Sequence, residues 1–132
     1  MNSRPFTLGL IQMAVPTDRH DALAAAVVRI REAARRGAQI ICLQELFNAP
    51  YFCKSLDASR FDLAEPVPGP TTDAMQALAK ELDVVIVVPL YEREAPGVYR
   101  NSAAIIDAGG ELLGVYRKMH IPHDPMFEEK YY

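Results

Sequence analysis

Val84-Val85-Ile86-Val87-Val88 sets five β-branched residues in succession, and a strand built from them has no polar face. A sheet that contains it needs cover on both sides. Gln39 to Gln44 has the same nearly continuous apolar character, and Thr7 to Met13 reads as a further buried strand. Pro16 closes that first strand because it cannot donate to a central ladder. Between the two, Leu23, Ala26, Val27, Ile30, Ala33 and Ala34 recur at helical spacing. Thr17 or Asp18 can cap this helix, and Gly37 can end it after Arg36. Strand, helix, strand is a parallel crossover unit.

A second helix is predicted from a cap at Thr71 or Thr72 to Leu82, with Met75, Leu78, Ala79 and Leu82 on one face. Beyond Val88, strands at Tyr99 to Asp107 and Glu111 to Arg117 flank Ala108-Gly109-Gly110, a hairpin turn with glycines available for positive φ. Asn48 to Pro70 carries aromatics and the prolines Pro50, Pro66, Pro68 and Pro70 without sustained period. A connection that long is usually functional. The order β-α-β, α, β-β-β demands an α/β (α+β) fold with a mixed sheet and its helices on one face. In a lone domain of 132 residues the other face would be bare, so a second half or another subunit is expected to cover it.

Half of the residues are hydrophobic and 23% are charged, the mix of an ordinary globular protein. The net charge of -3 and a pI of about 5.6 leave no electrostatic footprint for nucleic acid or an anionic membrane. A small soluble partner is expected. Phe6 to Val15 is broken by Gln12, is too short to span a bilayer and lacks the layout of a secretory signal. A cytoplasmic protein with reduced thiols at Cys42 and Cys53 is therefore expected. There is no CxxC or HExxH spacing, and His120, His123 and Asp124 supply too few ligands for zinc. No metal or cofactor is implied.

Glu45 ends the run from Ile40 to Gln44, and Lys118 ends the run from Leu112 to Arg117. A strand end holds its side chain rigidly at the rim of a sheet, where a charge can be aimed at a substrate. Strand alternation puts Glu45 on the face of Ile41 and Leu43, behind an apolar surface that suits a general base. Cys42 then faces the other way as a buried small hydrophobe. Cys53, beside Lys54, has a neighbour that could lower its pKa but no identified base.

The segment from Tyr99 to Pro122, with its hairpin and Tyr116-Arg117-Lys118-Met119-His120, resembles the hairpin-and-lysine signature of the carbon-nitrogen hydrolases, the nitrilase superfamily. Gly37 to Phe47 is similar to the segment bearing that family's catalytic glutamate. Gly69-Pro70-Thr71-Thr72 is similar to the start of its second helix, and Phe127 to Tyr132 to the stretch with an auxiliary glutamate. The resemblance implies a four-layer αββα sandwich of which residues 1–132 are the N-terminal half, an incomplete domain. It implies hydrolysis of non-peptide carbon-nitrogen bonds through a cysteine thioester. Glu45 would be the general base, Lys118 the oxyanion stabiliser, and Glu129 the group that orients Lys118 or the substrate amine, with Glu128 as its one-residue register alternative. The family's nucleophilic cysteine lies past the lysine, and neither Cys42 nor Cys53 matches its position, so this chain alone is expected to be inactive.

Glu45 to Cys53 and His120 to Pro125 look most like the N-carbamoylputrescine amidase branch, which implies a ureido substrate released as putrescine, carbon dioxide and ammonia. Tyr51, Asp124 and Glu128 are the candidate contacts for a cationic substrate tail. The runner-up is a β-ureidopropionase-like enzyme or an ω-amidase, marked by an arginine in the pocket, for which Arg60 and Arg100 are available. A reading of another class is a noncatalytic interaction module that assembles through its bare sheet face. Homo-oligomers are expected in either case, because an exposed apolar face of this extent associates.

Overall fold

Leu8–Leu10 (β1), Ile40–Cys42 (β2), Val85–Ala95 (β3), Val98–Ile106 (β4) and Leu112–Arg117 (β5) lie side by side, in chain order, in one mixed sheet. The structure is a computed structural model that describes residues 5–132. β1, β2 and β3 run parallel, and β4 and β5 are antiparallel to their predecessors. The parallel pairs require crossovers, supplied by helix α1 at Arg19–Arg35 and helix α2 at Pro70–Leu82.

Both helices pack on one face of the sheet. Ala26 and Ile30 of α1 and Met75, Leu78 and Ala79 of α2 meet Ile41, Ile86, Val88, Leu90, Ala104 and Ile106, all buried. The α1 cap is Asp18, whose side chain accepts from the Asp21 N–H. The α2 cap is Gly69 rather than Thr71 or Thr72. Pro70 takes the first helical position, where its missing N–H costs nothing. Thr72 instead reaches back, its hydroxyl accepting from Gly69 N (2.7 Å) and donating to Gly69 O (2.9 Å).

β1 and β2 are shorter than their apolar runs because a side chain takes over the ladder. Ile11 N still donates to Cys42 O, but Gln44 then accepts from Met13 N through Oε1 (2.5 Å) and donates to Met13 O through Nε2 (2.7 Å). Its carboxamide replaces a peptide group. β3 is longer than its valine run and passes through Pro89. Val87 O accepts from Leu43 N, and Tyr91 O accepts from Glu65 N. Pro89 lies between these on the same strand edge, in a gap where its missing donor is not needed. The long connection is not structureless, since Ala58–Leu63 forms a 3₁₀ helix within it.

Among the described residues, the opposite face of the sheet is largely uncovered. Leu8, Leu10 and Tyr116 are exposed, and Cys42 is half-buried rather than buried as expected. A second, smaller cluster covers only one end of that face: Leu46, Phe52, Cys53, Ala64 and Tyr91, with Phe61, Tyr99 and Tyr132 against them. No helix among the described residues is long and apolar enough to cross a membrane.

Candidate active site

Glu45 does not sit at the end of a strand. β2 stops at Cys42, and Glu45 opens a turn that runs to Asn48. Leu46 adopts a positive φ of 52°, unusual for a side chain of its size. The turn is held by packing on both sides: Leu46 enters the smaller cluster while Phe47 is buried in the main core. Asn48 fastens its far end, donating to Glu65 Oε1 (2.9 Å) and Thr71 Oγ1 (3.1 Å) in the interior. Strand alternation therefore fails for Glu45, which turns to the face opposite Ile41 and Leu43. The apolar surroundings expected of it are absent, and its side chain is 53% exposed.

Lys118 reaches the same place from β5. Its N–H donates to Asn101 O (2.8 Å), continuing the β4–β5 ladder by one pair. That pairing puts the Asn101 and Lys118 side chains together on the face away from the helices. The register depends on a bulge, because Ile106 pairs with Leu112 while Ile105 pairs with Gly114. Leu113 is the extra residue. Were Leu113 paired regularly with Ile105 instead of bulged out, Lys118 would fall opposite Arg100 and point to the other face.

Glu129 comes from the end of the chain. Glu128 N donates to Cys53 O (2.5 Å), and the Tyr132 hydroxyl donates to Ser55 O (2.5 Å). The Phe52 and Tyr132 rings meet edge to face at 4.9 Å. These contacts seat the short 3₁₀ turn Glu129–Tyr131 on the long connection. Glu129 is 8% exposed. Lys118 Nζ donates to both of its oxygens (2.7 and 2.9 Å) and to Glu45 Oε1 (3.1 Å). Asn101 Nδ2 donates to the same Glu45 Oε1 (2.6 Å) and to Glu129 Oε1 (2.8 Å).

Of this four-residue hub, Asn101, Lys118 and Glu129 stand in the wall of an open cleft of about 900 Å³, floored by Phe52, Phe61, Tyr91 and Tyr99, while Glu45 reaches Lys118 from outside the cleft lining. Burial works to lower the Lys118 pKa, but the carboxylates of Glu129 and Glu45 outweigh it and hold the ammonium above its usual range. Lys118 is a fixed positive charge at neutral pH, suited to a developing oxyanion rather than to proton abstraction. Cys53 is 1% exposed. Burial is the first cause that pushes its thiol up to about 11, the reverse of the lowering that Lys54 suggested, so it is a poor nucleophile.

The structure brings Glu45, Lys118 and Glu129 together, and adds Asn101, which the sequence reading did not single out. An amide carries no charge to attract notice, and the bulge hides its pairing with Lys118. Tyr51 packs on Phe127, with ring centroids 6.3 Å apart. Burial first, then the neighbouring Cys53, push its phenol up to about 12. Asp124 is exposed and bonds Phe127 through its backbone. Tyr51, Asp124 and Glu128 are not among the residues lining the cleft, whereas His120 is. Among the described residues, no group of three or more His, Cys, Asp or Glu side chains is placed to hold a metal ion.

A family model described as carbon-nitrogen hydrolase matches residues 7–132. The N-carbamoylputrescine amidase of Solanum lycopersicum is 47% identical over 98% of this chain and 43% of its own length. The omega-amidase NIT2 of Homo sapiens is 35% identical over 88% of this chain and 41% of its own. The crystal structure of a carbon-nitrogen hydrolase from Helicobacter pylori G27 superposes with a TM-score of 0.91 at 36% identity, covering 96% of this chain and 44% of that one. The chain thus spans less than half the length of these relatives.

Proposed function

The chain belongs to the carbon-nitrogen hydrolase family, and from that premise we propose that it carries the base and the oxyanion lysine of a cysteine-dependent amidohydrolase acting on ureido substrates. The observation that carries this reading is the Lys118 ammonium shared between the Glu45 and Glu129 carboxylates at the cleft wall. Glu45, half in solvent, takes the proton of an attacking thiol. The thiolate adds to the substrate carbonyl, and its oxygen, now negative, is stabilised by Lys118. Collapse breaks the carbon-nitrogen bond, and the proton held by Glu45 leaves with the amine or ammonia. Glu45 then removes a proton from the water that hydrolyses the thioester, and the thiol is regenerated.

That sequence requires a thiol which neither Cys42 nor Cys53 supplies: Cys42 lies on the outer sheet face and Cys53 is buried and protonated. A 132-residue chain is accordingly proposed to be inactive alone. N-carbamoylputrescine is the proposed substrate of the whole protein. Similarity to the amidases of that name supports it, as does the aromatic floor of the cleft; Tyr51, Asp124 and Glu128, the contacts expected for a cationic tail, lie outside the cleft lining and add no support.

One observation bears on the ω-amidase or β-ureidopropionase-like alternative. Arg100 lines the cleft, which would suit a substrate carboxylate, but its Nε donates to Glu94 Oε2 (2.9 Å). Arg60 pairs with Asp57. Arg100 is engaged through one nitrogen only, so the preference for the ureido reading rests on the similarity to the N-carbamoylputrescine amidases.

The test is intact mass of the product expressed from its native locus, followed by ammonia release from N-carbamoylputrescine. Ammonia release is expected, and Lys118→Ala should lower kcat by about 10²–10³-fold, the usual loss for one oxyanion donor. Glu45→Gln should lower it by roughly 10²–10⁴-fold. Release only from a carboxylate-bearing amide would move the assignment to the ω-amidase class, and a product inert to all of these would favour an interaction module.

A further inference from the structure

Two carboxylates converge on one ammonium at this site, an arrangement with one negative charge in excess. Like charges this close repel, and Glu45, half exposed on a turn, has open solvent to move into. What opposes that movement is Asn101. Its Nδ2 carries two hydrogens, and the structure directs one to Glu45 Oε1 at 2.6 Å and the other to Glu129 Oε1 at 2.8 Å. The two donors, Asn101 and Lys118, stand on adjacent strands whose ladder bond fixes their spacing. The two acceptors come from a turn and from a short 3₁₀ segment, the more mobile kinds of element.

We infer that Asn101 is a positioning residue, whose neutral double donor pins Glu45 beside Glu129 so that both share the Lys118 ammonium. The role rests on the reading of Glu45 and Lys118 as base and oxyanion stabiliser. A neutral donor is required here. A second cation would draw Glu45 into a tight ion pair, an aspartate would add a third carboxylate, and an aliphatic side chain would leave Glu45 with Lys118 alone at 3.1 Å. The hydrogen bonds of the Asn101 side chain go to the two carboxylates, so it acts through them.

The test reads Lys118 itself and needs no substrate. The chain is labelled with acetic anhydride under competition, and acetylation of each lysine is followed by peptide mass spectrometry with the exposed Lys80 as internal reference. In wild type Lys118 should react more slowly than Lys80, because its ammonium is held by three carboxylate contacts. Asn101→Ala should free Glu45 and speed Lys118 acetylation severalfold, moving its pH midpoint down while Lys80 is unchanged. Asn101→Ser, with a single short hydroxyl donor, should behave alike and serves if the alanine variant unfolds.

Glu45→Ala alters a half-exposed turn residue, so the fold survives it. It should reproduce the same rise, and adding Asn101→Ala to it should change Lys118 little. An unchanged Lys118 to Lys80 ratio in the folded Asn101 variants, or in Glu45→Ala, would overturn the positioning role. Absence of ammonia release would remove the proposed activity and leave the labelling result intact; release with unchanged labelling would remove only the role of Asn101.

Discussion

Glu92 lies almost wholly out of solvent on the helix side of β3, and its partners alternate with the residues of the candidate site. Ser102 Oγ donates to Glu92 Oε2 (2.6 Å), and Arg117 donates to both oxygens through Nε (2.9 Å) and Nη2 (2.7 Å). Asn101 and Lys118, the adjacent residues, point to the opposite face. Hydrogen bonding to Arg117 first, and to Ser102 against the penalty of burial, holds the Glu92 carboxyl below its usual range. A depressed carboxylate stabilises the fold at pH values above its unfolded pKa of about 4.3, and that contribution disappears as pH falls through the lower folded value. Ser102→Ala removes a bond to a charged, buried acceptor and should cost about 2 kcal/mol at pH 7. Thermal unfolding should show this difference shrinking below about pH 4; a difference constant down to pH 2 would mean that Glu92 is not the acceptor that matters. At this scale Glu45 and Lys118 stood out in sequence because a charge at the edge of an apolar run is conspicuous, and Glu129 came only from the family resemblance of Phe127 to Tyr132. The neutral Asn101 did not, and the protonated state of Cys53 followed from burial that no neighbour in sequence reveals.

Among the elements, the β4–β5 hairpin matters most, since its turn and bulge decide where Lys118 points. Gly110 sits in that turn with φ 85°. Its carbonyl accepts from Gln76 Nε2 (2.9 Å), fixing the turn to α2. A Cβ at Gly110 would lie 2.6 Å from Gln76 O, a backbone atom, and 3.0 Å from Lys80 Cβ. Gly110→Ala therefore meets both an unfavourable φ and a fixed neighbour, and should destabilise the chain by ~2–3 kcal/mol in denaturant titration. A cost below ~0.5 kcal/mol would show that the turn relaxes away from α2. The two helices and the strands at Val84 and beyond were legible because period and β-branching act locally. The extension of β3 through Pro89 and the shortening of β1 and β2 were not, since each depends on which neighbour offers a hydrogen-bond partner.

For the whole molecule, the sheet face opposite the helices carries the largest consequence. Leu10 is 79% exposed, with Leu8 and Tyr116 also in solvent on that face. Apolar surface of this kind drives association, so we expect the chain to self-associate through it. Sedimentation velocity should show a concentration-dependent rise in mass that Leu10→Glu reduces without lowering the unfolding temperature; a monomer at all concentrations would refute it. The sequence alone determined the helix and strand identities, the mixed sheet, the one-sided helix layer, the need for a cover on the other side, and three of the four residues at the hub. The elements follow from local periodicity and from the cost of leaving apolar faces wet, Glu45 and Lys118 from their place at the edge of apolar runs, and Glu129 from the family resemblance of Phe127 to Tyr132. Only the tertiary structure decided that Glu45 leaves the face of its strand, that a one-residue bulge turns Lys118 toward it, and that Asn101 joins them. A turn and a register are selected by packing between segments distant in the chain, as with Leu46 and Phe47 entering different cores, and a difference of one residue reverses the face on which a side chain falls.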